Sequence, residues 1–268
     1  SKQIIENTQT PFDRVKIYEI LVNHYMNIGT PEKSVQFALI CLKELGLVFP
    51  DKPNLSHILI NLLKTKMIIG SRRIDDLINL PTMKNQTSLY MMRIMDVMMS
   101  PTYMVAPDLF PLLVLKMVEI TLRKGLTKES GYAFSCYALV HCGILYDIDK
   151  GNEIGLLSLK IREKLNLPEI ECKIKLMYFF SVYFWKNKLI KTIDPVREIY
   201  PLGLQFGDFE FVGHCLVVIS YHSIYIGSDI NELIGEMIKF KNICITIRNI
   251  MARDRISIYL QTLENLRT

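Results

Sequence analysis

Residues 11–46 read PFDRVKIYEILVNHYMNIGTPEKSVQFALICLKELG. Phe12, Val15, Tyr18, Leu21, Val22, Tyr25 and Ile28 recur at steps of three and four, which places them on one stripe of a helix. Thr10 stands where an N-cap belongs, and Pro11 fits the first helical position. Gly29 ends the run by accepting a left-handed backbone. Thr30-Pro31-Glu32-Lys33 then restarts the chain as cap, first-turn proline and an acid that favours the helix dipole. Val35, Ala38, Leu39 and Leu42 face inward on the second helix, which closes near Gly46. Two helices joined by about three residues must run antiparallel.

The same punctuation continues outward from this hairpin. Helices are expected over 54–69 (closed by Gly70), 74–79 (stopped by Pro81) and 88–99 (ended by Ser100-Pro101). Others follow over 108–124, 128–146 and 152–165. Pro168 opens a helix expected to reach Trp185, and Pro195 opens another ending at Gly207. Residues 209–226 form a further helix, and Ile230 to Leu266 one long helix or two. No run alternates with strand-type turns. The expected fold class is all-α, with residues 1–268 forming one array of antiparallel helix pairs.

Composition agrees. Half of the 268 residues are apolar and 22% are charged, enough to bury a large core and to exclude intrinsic disorder. The net charge of +5 is spread in small groups interleaved with acids, which excludes a dense nucleic-acid-binding face. Cys41, Cys136, Cys142, Cys172, Cys215 and Cys244 lie mostly in apolar helical runs without a CxxC pair, the habit of reduced cysteines in a cytoplasmic protein. Residues 131–146 and 211–226 lack Asp, Glu, Lys and Arg. Each run is shorter than the ~20 residues a spanning helix needs, so membrane insertion is not expected. The start Ser1-Lys2-Gln3, without an initiator Met or a signal peptide, reads as the edge of a piece of a longer chain.

Serial hairpins suggest a tetratricopeptide-like repeat, with small residues where the two helices cross. One register places Leu21, Val22, Tyr25, Gly29, Ser34, Ala38 and Cys41 on the repeat positions. A second uses Leu139, Cys142, Gly143, Tyr146, Gly155 and Leu159, with Gly143 and Gly155 expected where backbones nearly touch. Later pairs are degenerate, so the expected architecture is a right-handed superhelix of irregular repeats, each packing on its neighbours. If these registers hold, Glu19, Asn23 and Met26 line the concave groove from the first pair, and Tyr137, Val140, His141 and Ile144 from the second. His214, Tyr221 and His222 complete a set of polar anchors for a peptide or small molecule.

Motifs that carry chemistry are missing. The chain has no GxxxxGK[ST] loop, no kinase motif set, no GxSxG and no HExxH. Cys136, His141 and Cys142 do not have ligand spacing, since adjacent helical residues diverge by about 100°. A Cys142 or Cys215 nucleophile would need an accessible, electropositive setting. Asp75-Asp76 suits a helix start, and Asp147 and Asp149 suit a turn. The aromatic run Tyr178 to Trp185 and the methionines from Met91 to Met99 read as core. No cofactor, metal or catalytic residue is expected.

A set of segments then carries a resemblance. Leu77-Ile78-Asn79-Leu80-Pro81, Ser100-Pro101-Thr102-Tyr103, Asp108-Leu109-Phe110 and Val114-Leu115-Lys116-Met117-Val118 come first. Tyr132-Ala133-Phe134 through Gly143 follows, with Asp147 and Gly151. Phe184-Trp185-Lys186, Gly203-Leu204-Gln205-Phe206-Gly207-Asp208 and Asp254-Arg255-Ile256 complete it. In this order they resemble the helical region after the P-loop (STAND/AAA-type) ATPase module of large bacterial signalling proteins. Those chains join a serine/threonine-kinase-like domain, the ATPase, this region, a GAF domain and a sensor histidine kinase. The resemblance implies a cytoplasmic, non-catalytic regulatory scaffold between an ATPase switch and an output kinase of two-component type. It implies a protein or peptide segment as partner, including other domains of the same chain. The alternative is a tetratricopeptide-like receptor for peptides or small molecules.

Overall fold

A computed structural model describes residues 11–267, so the Thr10 cap lies outside the described residues. Among these the chain is helical, and the one β-feature is an isolated parallel bridge between Thr82 and Leu126. It divides into two compact units, residues 1–137 and 138–268.

In the first unit, α1 (Pro11–Asn27) and α2 (Pro31–Glu44) form the expected hairpin. Gly29 has φ +74° at the turn. Small residues do let the helices close: Ser34 is fully buried, and its hydroxyl donates to the Val22 carbonyl at 2.7 Å. Tyr25 and Phe37 stack across the pair at 5.1 Å between ring centres. Thr30 takes the cap position, but its hydroxyl turns back to the Tyr25 carbonyl and leaves the new helix uncapped. α3 (Leu55–Ile69) is capped by the Asn54 side chain and stopped at Gly70. A 3-10 turn covers Ile74–Asn79, as its short apolar pattern indicates.

Next come α4 (Gln86–Val97), α5 (Met99–Val105) and α6 (Phe110–Lys124). The sequence expected Ser100-Pro101 to end α4. Instead the chain starts a new helix at Met99, with Pro101 buried in its first turn, where its missing N–H costs nothing. α1 packs on α2 and α4, and α2 on α5. α3 packs on α6, more than forty residues further along the chain.

α7 (Ser130–Gly143) contains the division between the units. The second unit continues with α8 (Ile148–Leu165), α9 (Glu171–Ser181), α10 (Ile193–Phe206), α11 (Phe209–Tyr225), α12 (Ile230–Thr246) and α13 (Ile250–Arg267). Here the packing is serial: α8 on α9, α9 on α10 and α11, α11 on α12 and α13. The final stretch is two helices, because Arg248 adopts φ +57° between them.

Two expectations about this unit need correction. The helix opened at Pro168 does not run to Trp185. It ends at Ser181 and gives way to a 3-10 turn, Tyr183–Trp185, on which Trp185 stacks against Phe184 and stays exposed. Gly143 and Gly155 do not face each other. The close approach of α7 and α8 is at Gly151, where a Cβ would sit 2.3 Å from the Cys142 Sγ and 3.1 Å from the Ala138 carbonyl. Gly155 instead makes room for the Tyr178 ring of α9, which a Cβ would meet at 2.8 Å. The real crossing of α7 and α8 therefore lies one helical turn before Gly155.

Candidate functional site

On α1, Asn23 is exposed and Met26 half-buried, while Glu19 is tied to Arg93 of α4 by a 2.6 Å ion pair. α4 thus covers the edge that Glu19 was expected to present. On α7, Tyr137, Val140 and His141 are buried, and Ile144, just past its end, is exposed. That helix is buried on nearly every side from Ser130 to Cys142, so its polar side chains belong to the core. Burial lowers the pKa of His141, with Asp147 3.9 Å from its Nδ1 pulling the other way.

His214 and His222 share α11 but do not converge. His214 is half-buried, with its Nε2 3.7 Å from the Glu210 carboxylate and its ring edge-on to Phe211. His222 is buried, and its Nδ1 lies 2.7 Å from the Thr192 hydroxyl. Thr192 spends its own proton on the Leu189 carbonyl at 2.7 Å. The imidazole must therefore donate from Nδ1, which fixes its tautomer. Burial pushes its pKa down to about 4, so the ring is neutral near pH 7. Tyr221 is half-buried among Phe180, His222 and Tyr225.

The thiols are packed in the same way. All six cysteines are buried. Burial raises Cys142 and Cys244 to about 11, and burial with nearby carboxylates raises Cys41 to about 12. Cys172 and Cys215 touch at 3.6 Å, and burial holds the Cys215 thiol well above its usual range. None of these settings activates a nucleophile.

The surface features of interest were not singled out from sequence. The first is α3. Only Ile58 and Thr65 are buried on it. Leu55, Leu59, Ile60, Leu63 and Met67 are 66%, 48%, 62%, 62% and 75% exposed. Leu55, Leu59, Leu63 and Met67 stand four apart and form a single ridge. The helix is too apolar for one buried stripe, and that excess was the available signal.

From behind, α3 is held by Glu119 of α6. Its carboxylate meets Lys64 of α3 at 2.8 Å, Lys116 at 2.8 Å and Arg123 at 3.1 Å. Burial acts to raise this pKa, but the hydrogen bonds and charges of Lys116 and Lys64 outweigh it and bring the group to about 2. Immediately before α3 in the chain, Val48, Phe49, Pro50 and Pro53 help to line a largely apolar cleft of about 510 Å³, together with Val105 and Pro107 and the charged Lys43, Asp51 and Asp108.

A second cleft, polar and of about 630 Å³, lies in the other unit between Arg197 of α10 and one side of α12. Arg197 grips Glu236 through two hydrogen bonds of 3.0 and 2.8 Å. Ser223 lines the cleft and its buried hydroxyl has no hydrogen-bond partner. Gly235 also lines it, in mid-helix, and an added Cβ there would meet nothing within 4 Å. Packing therefore does not explain that glycine, which costs a helix about 1 kcal/mol relative to alanine.

Fold and surfaces together define an all-helical protein whose buried carboxylate Glu119 is ion-paired, whose buried His222 is neutral, and whose distinctive feature is exposed apolar surface. Comparison with known proteins then gives a context. No protein-family profile matches the chain. Over 143 residues it is 27% identical to hybrid signal transduction histidine kinase G of Dictyostelium discoideum. The match covers 53% of this chain and 4% of that protein. Among the described residues no helix is long and apolar enough to cross a membrane.

Proposed function

We propose that this chain is a non-catalytic interaction and regulatory scaffold of a signalling protein. In the proteins it resembles, it would couple an ATPase module to an output kinase within a tetratricopeptide-like superhelical array. The α3 ridge carries this reading, because a patch of that size on a rigid helix marks a contact surface. The neutral histidine and raised thiols support it from the other side. Its partner is a protein or peptide segment, including other domains of the same polypeptide, rather than nucleic acid or a lipid bilayer. The test is titration of the purified chain with separately purified P-loop ATPase and histidine-kinase modules, read by calorimetry and autophosphorylation. Saturable binding that changes the phosphorylation rate supports the scaffold. Absence of binding to either module overturns it.

The polar cleft favours a second reading, a receptor for a small polar molecule. The unpartnered Ser223 hydroxyl and the open backbone at Gly235 are its specific support. A thermal-shift screen with amino acids, sugars and organic acids tests it: a stabilising hit lost in Ser223→Val and Gly235→Leu variants is the expected signature.

A further inference from the structure

We propose that the outward ridge of α3 docks an amphipathic helix whose apolar stripe is bordered by carboxylates. This rests on the scaffold reading and assigns that scaffold its contact face and the chemistry of its partner.

The geometry begins with the row Leu55, Leu59, Leu63 and Met67, which runs about 18 Å along the helix at 1.5 Å per residue. Ile60 flanks it, in the neighbouring row that begins with the small Ser56. A single raised row of this kind fits the groove between side-chain rows of one facing helix, the ridge-into-groove packing of helix pairs. Among the described residues no exposed sheet edge exists to add a strand, so a helix is the complementary element.

The ridge is also preformed. Its reverse side packs on α6, and the three cations around Glu119 fix one of α3's own side chains, Lys64. A partner therefore does not have to order it, which removes part of the usual cost of association.

Size and charge narrow the occupant. The five exposed side chains amount to about 500 Å² of apolar surface, the range in which a patch marks an interaction site. That falls short of the ~800 Å² per partner of a stable stand-alone interface, so the rim has to contribute. The rim is basic. α3 has no Asp or Glu, and Lys66 borders the ridge. Lys52 precedes α3, while Arg72 and Arg73 follow it; all are exposed, and these four cations outnumber the two exposed carboxylates close by in the chain, Asp51 and Asp76. Arg72 also donates to the last carbonyls of α3, so it stays at that end of the ridge.

A second copy of this chain would bring like charges together. In a parallel pairing Lys66 meets Lys66, and in an antiparallel one α3 has no carboxylate to offer the facing lysine. Carboxylates bordering a partner's stripe turn the same positions into attractions. The helix offers no aromatic anchor and one lysine along the ridge, which is poor equipment for a membrane surface. The apolar cleft at Pro53, two residues before Leu55, extends the surface and gives a bulky side chain at one end of the partner a place to enter.

Two fluorescein-labelled, helix-stabilised peptides test this. Both present leucines at four-residue spacing; one carries Glu along both borders of the stripe and the other Lys. Binding is read by anisotropy, and the contact region by hydrogen exchange. The Glu peptide should bind at least ~10-fold tighter than the Lys peptide, with an affinity that falls as salt is raised. The double variant Leu59→Ser/Leu63→Ser should weaken it by ~10-fold or more with circular dichroism and Tm unchanged, since both residues face solvent. Lys66→Glu should shift preference toward the Lys peptide without touching the ridge.

Equal affinity for the two peptides, or a ridge variant that binds as well as the parent, overturns the proposal. So does a dimer, seen by sedimentation, that Leu63→Ser dissolves. Ridge-dependent binding to phosphatidylserine vesicles in place of the peptide has the same consequence. If the kinase or ATPase module binds and protects amides away from α3, the scaffold reading stands and this face falls.

Discussion

Replacing Glu119 by Gln removes one negative charge from the middle of three cations and keeps the shape of the side chain. Glu119 is 7% exposed. Its pKa falls from 4.5 to about 2, and at 1.36 kcal/mol per unit that corresponds to about 3 kcal/mol. Lys64 and Arg123 are 41% and 52% exposed, so solvent screening cuts the figure to about 2 kcal/mol. The sign follows from the direction of the shift. A carboxylate with a depressed pKa stabilises the fold above about pH 4.5, and that stabilisation disappears as pH falls toward 2.

At pH 7 the variant should lose about 2 kcal/mol, which lowers the Tm of a unit this size by roughly 8 °C. Because Lys64 belongs to α3, amides of Leu55–Ile69 should exchange roughly 30-fold faster, while those of Ile230–Thr246 in the other unit keep their rate. Scanning calorimetry and hydrogen-exchange mass spectrometry at pH 7 and pH 2.5 read both effects. The reasoning is refuted if the Tm moves by less than about 1 °C at pH 7. It is equally refuted if the gap between parent and variant is as wide at pH 2.5 as at pH 7.

His222 gives the opposite half of the pH range its slope. Its folded pKa of about 4 against 6.5 means that the unfolded chain takes up the proton first. Stability is full above about pH 6.5 and declines toward pH 4, by about 3 kcal/mol; denaturant melts of His222→Gln over that window should be flatter. Gly235→Ala should raise stability by about 1 kcal/mol, since its Cβ meets open space, and urea melts check it. The six buried thiols should resist iodoacetamide at neutral pH and all react in guanidinium, as mass spectrometry would show. Rapid labelling of Cys142 or Cys215 in the folded chain would contradict their placement.

Local signals were the legible part of this fold. Gly29 followed by Pro31, Gly70 after the run 54–69, and the short run Ile74–Asn79 each determine backbone geometry within a few residues, and the structure follows them. Proline was read too rigidly. Pro101 looks like a stop in the sequence, yet in a first turn it lacks only an N–H that would have no helical partner. The groove residues meet a different limit. Whether Tyr137, Val140 and His141 face solvent depends on how many neighbours surround α7, and helical periodicity carries no information on that. The same limit hid α3: Leu59 and Leu63 look like core residues in the sequence, and only the position of α6 decides which apolar side of the helix is covered.

The pairing of α3 with α6 also has a consequence for synthesis. A ribosome moving at roughly 5–20 residues per second needs several seconds to travel from Ile69 to Lys124. During that interval the nascent chain displays α3 with both of its greasy sides bare. Holdase chaperones that capture short apolar stretches should therefore meet this chain early, and should let go of one side of α3 only after its later-made neighbour has left the exit tunnel.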